Sequence, residues 1–297
     1  MKKRIALTVL AVYMTVIMFG CASEENLIMP NFDGLPQILS ARELFNSVSD
    51  GDEYLDEDPV ILDGSAAKYE NGYDSDTSEI KVVAHDEVDA EKVPYLKKEL
   101  DSLISENPDT KGWFYFSGPE SIMGLPISAQ LMQSDDNFYY LNRNEKKKYN
   151  INGSVYVDYR NNMSDIKSNR NIIVYAHARS YKRFGGLKYL DNAKRWYSDA
   201  NNHFIKITTD TEQSVWQVFS WYETTAGYDY RSTDFTSPEE YVNYLNTLQS
   251  NNKIEALKKF DFKGNDTILT LSTCKGSDKN KRVAVHAVLI KSRQIQQ

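Results

Sequence analysis

A closed or nearly closed β-barrel is the fold class this 297-residue chain predicts, and three observations predict it. Seven short segments are rich in β-branched and aromatic residues and are separated by turn-forming residues. Only two stretches carry a helical period. Aromatics reach 12%, with 20 tyrosines, a usage suited to pleated, half-buried surfaces. Seven or eight strands with so few helices to cover them would leave exposed edges unless the sheet closes on itself.

The elements follow in order. Lys2, Lys3 and Arg4 precede an uncharged stretch from Ile5 to Ser23, long for a signal-peptide core and slightly short for a spanning helix. The cationic flank stays in the cytoplasm and the remainder is exported. The stretch ends in "MFGCAS", whose Gly20-Cys21 pair resembles a bacterial lipoprotein cleavage site that would acylate Cys21, although Met18 and Phe19 suit that motif poorly. Residues 1–23 are therefore read as an uncleaved membrane anchor, with a lipidated Cys21 as the alternative. Either places the rest of the chain on the outer face of a membrane.

Residues 24–90 read as a flexible spacer, interrupted by Pro30, Pro36 and Pro59. Within it, residues 50–91 carry 15 Asp/Glu against Lys68 and Lys81, a net of −13. Residues 92–297 carry 29 Lys/Arg against 23 Asp/Glu, a net of +6, so the chain's overall −7 sits in the spacer. A mildly basic domain suits an anionic cell envelope and is too weakly charged to indicate nucleic acid.

The catalytic-size domain is assigned to 91–297. It opens on a helix over "VPYLKKELDSLISENPD", where Val93, Leu96, Leu100 and Leu103 form one stripe and Asn107-Pro108 ends it. Strands are predicted at 112–118, 153–160, 171–178, 203–209, 214–224, 266–274 and 282–291. A second helix starts at Ser237-Pro238-Glu239-Glu240, a capping box with Pro at its first position, and carries Tyr241, Leu245 and Leu248.

Chemistry concentrates near the end. Cysteines 21 and 274 form no disulfide framework, and with four scattered histidines they show no zinc spacing. No phosphate-cradling glycine loop is present, so neither cofactor nor metal is expected. Cys274 closes the apolar run "DTILTLSTC", and Arg282 opens the next strand after a seven-residue loop. Paired antiparallel, the two lie at the same end of the sheet. Arg282 with Lys275, Lys279 and Lys281 makes the surroundings electropositive, which favours the nucleophilic thiolate form of a cysteine. The alternative is a small gap-filling residue beside a solvated cation. A thiol nucleophile also needs a proton partner. Of the histidines, His85 falls in the acidic spacer, His203 begins a strand and is expected to be exposed, and His286 alternates within a strand as a satisfied barrel residue. His177 ends "NIIVYAHA" before a polar loop, where a side chain projects beyond the sheet, and ranks first.

"TLSTC" with Arg282 eight residues on resembles the cysteine motif of sortases, and "IIVYAHARSYKRFGGLKYL" resembles their histidine segment. "ENPDTKGWFYFSG", "LPI", "FYYLNRN" and "GSVYVDYRN" are similar, in order, to the N-terminal part of class B sortases, and the helix at Ser237 falls where that class carries an insertion. The resemblance spans about residues 93–291. It implies a sortase-type barrel of seven to eight strands with an N-terminal helix and an inserted helix before the cysteine strand, acting as a transpeptidase at the outer face of a Gram-positive membrane. Cys274 would attack the carbonyl of a Thr in a C-terminal sorting motif of a secreted protein. Arg282 would hold the carbonyl or its oxyanion, and His177 would protonate the leaving amine. A peptidoglycan precursor or other amine would resolve the thioacyl enzyme. Ser272 matches a position close to substrate, and Asp278 reads as a loop residue. One departure stands out: where the family commonly has Gly-His-Asn, this chain has Ala176-His177-Ala178, which removes a polar neighbour able to orient the ring. The rival functions are a cysteine hydrolase and a non-catalytic surface lipoprotein on the same barrel.

Overall fold

The computed structural model describes residues 80–295 except Ser277 and Lys279. The expected anchor and most of the expected spacer, residues 1–79, lie outside the described residues. Eight strands are present: β1 (Thr110–Phe116), β2 (Ile127–Met132), β3 (Val155–Val157), β4 (Asn171–Tyr175), β5 (Phe204–Thr208), β6 (Glu212–Thr225), β7 (Ile268–Cys274) and β8 (Lys281–Gln294). They close into a barrel in the order β1-β2-β3-β4-β7-β8-β6-β5. The β2–β3 and β4–β7 pairs are parallel and the others antiparallel. β2 is the strand the sequence did not announce. Its Ile127, Ala129 and Leu131 alternate with Ser128 and Gln130, but the segment is short and poor in the β-branched and aromatic residues that mark the others.

Alternation sorts the side chains into an inside and an outside. Phe114 and Phe116, Ile172 and Val174, Ile205 and Ile207, Leu269 and Leu271, and Val283, Val285 and Ala287 meet in the barrel core. On β6 the inward residues run Trp216, Val218, then Trp221, a change of phase at the irregularity between Val218 and Ser220. That extra residue turns Phe219 and Tyr222 outward. There they join Ala284, Val288 and Ile268 beneath a helix, α2 (Pro238–Ser250), which contributes Tyr241, Leu245 and Leu248. Burying each such side chain stabilises by roughly 1.5–3 kcal/mol. Ser237 caps α2 by accepting from the Glu240 amide, while the Glu240 carboxylate turns to the Thr236 amide and hydroxyl, so only half of the predicted capping box forms.

The first predicted helix is confined to α1 (Asp101–Glu106). Tertiary bonds compete with its helical ladder upstream: the Leu96 carbonyl accepts from Thr208 Oγ1 at 2.5 Å and Gln213 Nε2 at 2.7 Å. The Tyr95 ring lies under Lys291 and Arg293. The chain before α1 is therefore a strap against β5, β6 and β8, with single 3-10 turns at His85–Glu87 and Ala90–Lys92. Val83 pairs with Asp199, so the last ten or so residues assigned to the spacer belong to this strap. His203 also departs from expectation. It is fully buried, donates from Nε2 to the Tyr197 carbonyl (3.1 Å) and packs on Trp196, and burial drives its pKa down to about 4. Among the described residues no helix is long and apolar enough to cross a membrane.

Candidate active site

The strand pairings put the sequence-predicted residues together. Cys274 and Arg282 are directly opposite across β7 and β8. Opposed residues share a face, with Cβ atoms typically about 5 Å apart. That face is the outer one, because Leu271 and Val283 point inward. β4 runs parallel to β7, with Tyr175 opposite Ser272. Two residues past that pair stand His177 and Cys274, at the same end of neighbouring strands. The Thr273 hydroxyl donates to the Ala176 carbonyl (2.8 Å) and keeps the two chains together beyond the last paired residue.

Cys274 is a free thiol, half-buried at its strand end. Arg282 is also half-buried, and its Nη1 donates to the Lys281 carbonyl at 3.0 Å. The electropositive loop is only partly so: Lys275 is drawn to Glu223 (2.6 Å) and donates to the Lys188 carbonyl (2.9 Å). Asp278 accepts from the Asn280 amide and shapes the turn. Lys279 lies outside the described residues.

His177 Nε2 lies 2.9 Å from the Leu141 carbonyl oxygen. A carbonyl can only accept, so Nε2 carries the proton and Nδ1 is left to exchange one. Burial, reinforced by the Arg179 charge, holds the imidazolium below its ordinary pKa, against the opposing pull of the Leu141 bond. Orientation of the ring thus comes from a backbone group of another loop, which compensates for Ala178. A backbone carbonyl has no sequence signature, so residue types alone could not have revealed it.

The next outward row reads Tyr156, Tyr175, Ser272, Ala284 and Tyr222 across β3, β4, β7, β8 and β6. Ser272 is only 4% exposed, and its hydroxyl is bonded to Tyr230 Oη at 2.8 Å. Its visible task is to tie the segment before α2 to the barrel beside Cys274. Tyr156 and Tyr175 pack with centroids 5.4 Å apart, and Tyr175 donates to the buried Asp158 at 2.8 Å. Burial works against ionisation of Asp158, but bonds from Arg160 and Tyr175 more than offset it and keep the carboxylate charged. Arg160 grips Asp158 through Nε and Nη2 (2.8 and 2.9 Å), and Nη2 also reaches the Arg231 carbonyl (3.3 Å). This closes one side of the strip leading to Cys274.

One row deeper, Thr270 donates to Asn171 Oδ1 (2.7 Å), so it accepts from His286 Nδ1 (2.9 Å), and His286 Nε2 accepts from Tyr222 (3.1 Å). His286 is the satisfied barrel residue its alternation predicted. Its full burial pushes its pKa down to about 3.

No family profile matches the chain. Sortase B of Listeria monocytogenes is 32% identical over 181 residues, covering 60% of this chain and 68% of that protein. The solved sortase B of Bacillus anthracis, in complex with AAEK1, is 30% identical with a TM-score of 0.56, over 68% of this chain and 91% of that one. The chain belongs to the class B sortases. Sortase B of Staphylococcus aureus is 28% identical over 200 residues, 66% of this chain and 77% of that protein. Its 2.0 Å crystal structure matches with a TM-score of 0.57 at 27% identity, covering 66% and 89%. As a class B sortase, the protein is a cysteine transpeptidase on an eight-stranded barrel.

Proposed function

We propose that the protein cleaves a C-terminal sorting motif after a Thr and joins the new carboxyl end to an amine, with Cys274 as nucleophile, Arg282 as oxyanion partner and His177 as acid and base. The observation that supports this reading is the pairing of Cys274 with Arg282 on one face of β7 and β8, with His177 just past the same end of the neighbouring β4. The Cys274 thiolate adds to the Thr carbonyl carbon, and the electron pair moves to oxygen. The Arg282 guanidinium is positioned to stabilise that charge in a partly dry site, the kind of contribution that dominates acyl transfer. As the C–N bond breaks, the His177 imidazolium gives its Nδ1 proton to the departing amine. An incoming amine then attacks the thioester, loses a proton to Nδ1 and releases the thiolate. A sortase B of Staphylococcus aureus has been solved as a substrate complex, which supports a substrate-binding barrel here.

The test is a product assay on sorting-motif peptides with and without a peptidoglycan-type amine. Amine-dependent ligation product is expected. Cleavage that yields only free acid at saturating amine would make the protein a hydrolase, and absence of any cleavage across a panel of sorting motifs would make the barrel non-catalytic.

The site of action follows from residues 1–23: we infer the outer face of the membrane, near secreted substrates and cell-wall precursors. The protein is expected in the membrane fraction and accessible to external protease. Cys21→Ser leaves it there if the segment is an anchor helix and releases it if Cys21 is lipidated.

A further inference from the structure

The Leu141 carbonyl that holds His177 is itself held by an elaborate support. Leu141 lies in the single-turn segment Tyr139–Asn142, and the chain returns to it at Gly153. Gly153 has φ +58°, and a Cβ there would collide with the carbonyl oxygens of Leu141 and Tyr140. Hydrogen alone fits between those two carbonyls. The adjacent Ser154 amide donates to the Tyr140 carbonyl at 3.0 Å, and the Ser154 hydroxyl to Arg143 at 2.8 Å. The far end of the histidine loop is tied to the same place. Arg183 Nε donates to the Gly153 carbonyl at 3.0 Å, and Arg183 Nη2 pairs with Glu145 at 2.9 Å. That side chain is 12% exposed, a largely covered guanidinium that bonds Gly153 and Glu145 of the 139–154 loop. The Phe184 amide donates to the His177 carbonyl at 3.1 Å, closing the histidine loop on itself.

We propose that Gly153 and Arg183 are positioning residues for the reaction: together they fix the Leu141 carbonyl against His177 Nε2 and lock the ring in the Nε2–H tautomer, so that Nδ1 is the nitrogen that exchanges the proton. Removing either leaves the ring free to rotate or to change tautomer. An imidazole with its proton on the wrong nitrogen cannot accept from the attacking amine at Nδ1. Misplacement of about 1 Å in such a group costs up to roughly 10²-fold in rate. The Leu141 bond also favours the imidazolium, and Arg179 on the same loop opposes it. Loss of the bond therefore moves the His177 midpoint to lower pH and depletes the acid form.

The inference rests on His177 as proton donor, and the experiment separates the two. Gly153→Ala, Arg183→Ala, Arg183→Lys and His177→Ala are compared in full-length protein for peptide cleavage. The neutral His177 ring nitrogens are read by 15N NMR with labelled histidine, using His177→Ala to assign the signals. Gly153→Ala and Arg183→Ala are expected to lose about 10- to 100-fold in kcat with KM within twofold. They should also lose the pure Nε2–H signature, and their His177 midpoint should fall. Arg183→Lys, which keeps a charge for Glu145, should recover part of kcat. If Gly153→Ala does not fold, the Arg183 pair still decides. Folded Gly153→Ala or Arg183→Ala protein with wild-type kcat and an unchanged Nε2–H tautomer overturns the positioning role while leaving His177 as the acid. Wild-type turnover by His177→Ala overturns the acid assignment itself.

Discussion

Cys274→Ala is expected to reduce cleavage of a sorting-motif peptide by at least about 10⁴-fold, because loss of an obligatory nucleophile leaves only the binding and electrostatic remainder of the site. The fold should survive. Cys274 is a free, half-buried thiol at the last position of β7, and alanine keeps the backbone pairing with Arg282. Removing one half-buried sulfur costs about 1 kcal/mol, the centre of the usual range for a point substitution. Unchanged thermal unfolding alongside lost turnover is therefore the expected pair of results. Cys274→Ser should behave similarly, since a hydroxyl is far less acidic than a thiol at neutral pH. Appreciable cleavage by either variant would remove the nucleophile from β7 and require another group to form the acyl intermediate.

What was legible in the residues follows physical lines. Strands announced by β-branched and aromatic runs, such as 171–178 and 266–274, appear as β4 and β7, because side-chain alternation and propensity agree there. Their parallel pairing is a tertiary fact with no local signal, yet it is what puts His177 and Cys274 at the same end of neighbouring strands. The helix predicted from Val93 fails in its first half for a tertiary reason. Its stripe is real, with Leu100 buried, but Leu96 gives its carbonyl to Thr208 and Gln213 instead of to a helical amide. His203 was read as exposed from its position at a strand start. Packing on Trp196 buries it, and no neighbour in sequence reveals that contact. At the candidate site, the residues proposed to do chemistry were visible in the sequence and the groups bonded to them were not. Leu141 acts through its backbone and Ser272 through Tyr230, each across a long gap in sequence.

Arg282 separates geometry from charge. It is paired with Cys274 at the end of the β7–β8 hairpin, on the outer face, and its Nη1 donates to the Lys281 carbonyl at 3.0 Å. A planar fork can hold the substrate carbonyl oxygen and a neighbouring acceptor at the same time. A lysine ammonium is a mobile point charge that holds neither in a defined direction. Arg282→Ala is therefore expected to lose roughly 10²–10³-fold in kcat, the usual cost of deleting one oxyanion donor. Arg282→Lys should recover only part of that, although net charge is kept. The two roles also differ in pH response. A residue that acted through charge alone, by favouring the thiolate, would be replaced almost fully by lysine, and its alanine variant would regain activity as pH rises. A residue that aligns the carbonyl leaves the alanine variant slow at every pH, because no amount of thiolate restores the missing donor. The pH–rate profiles of Arg282→Ala and Arg282→Lys between about pH 6 and 10 read out the difference. Near-wild-type turnover of Arg282→Lys at neutral pH would leave the charge and discard the fork.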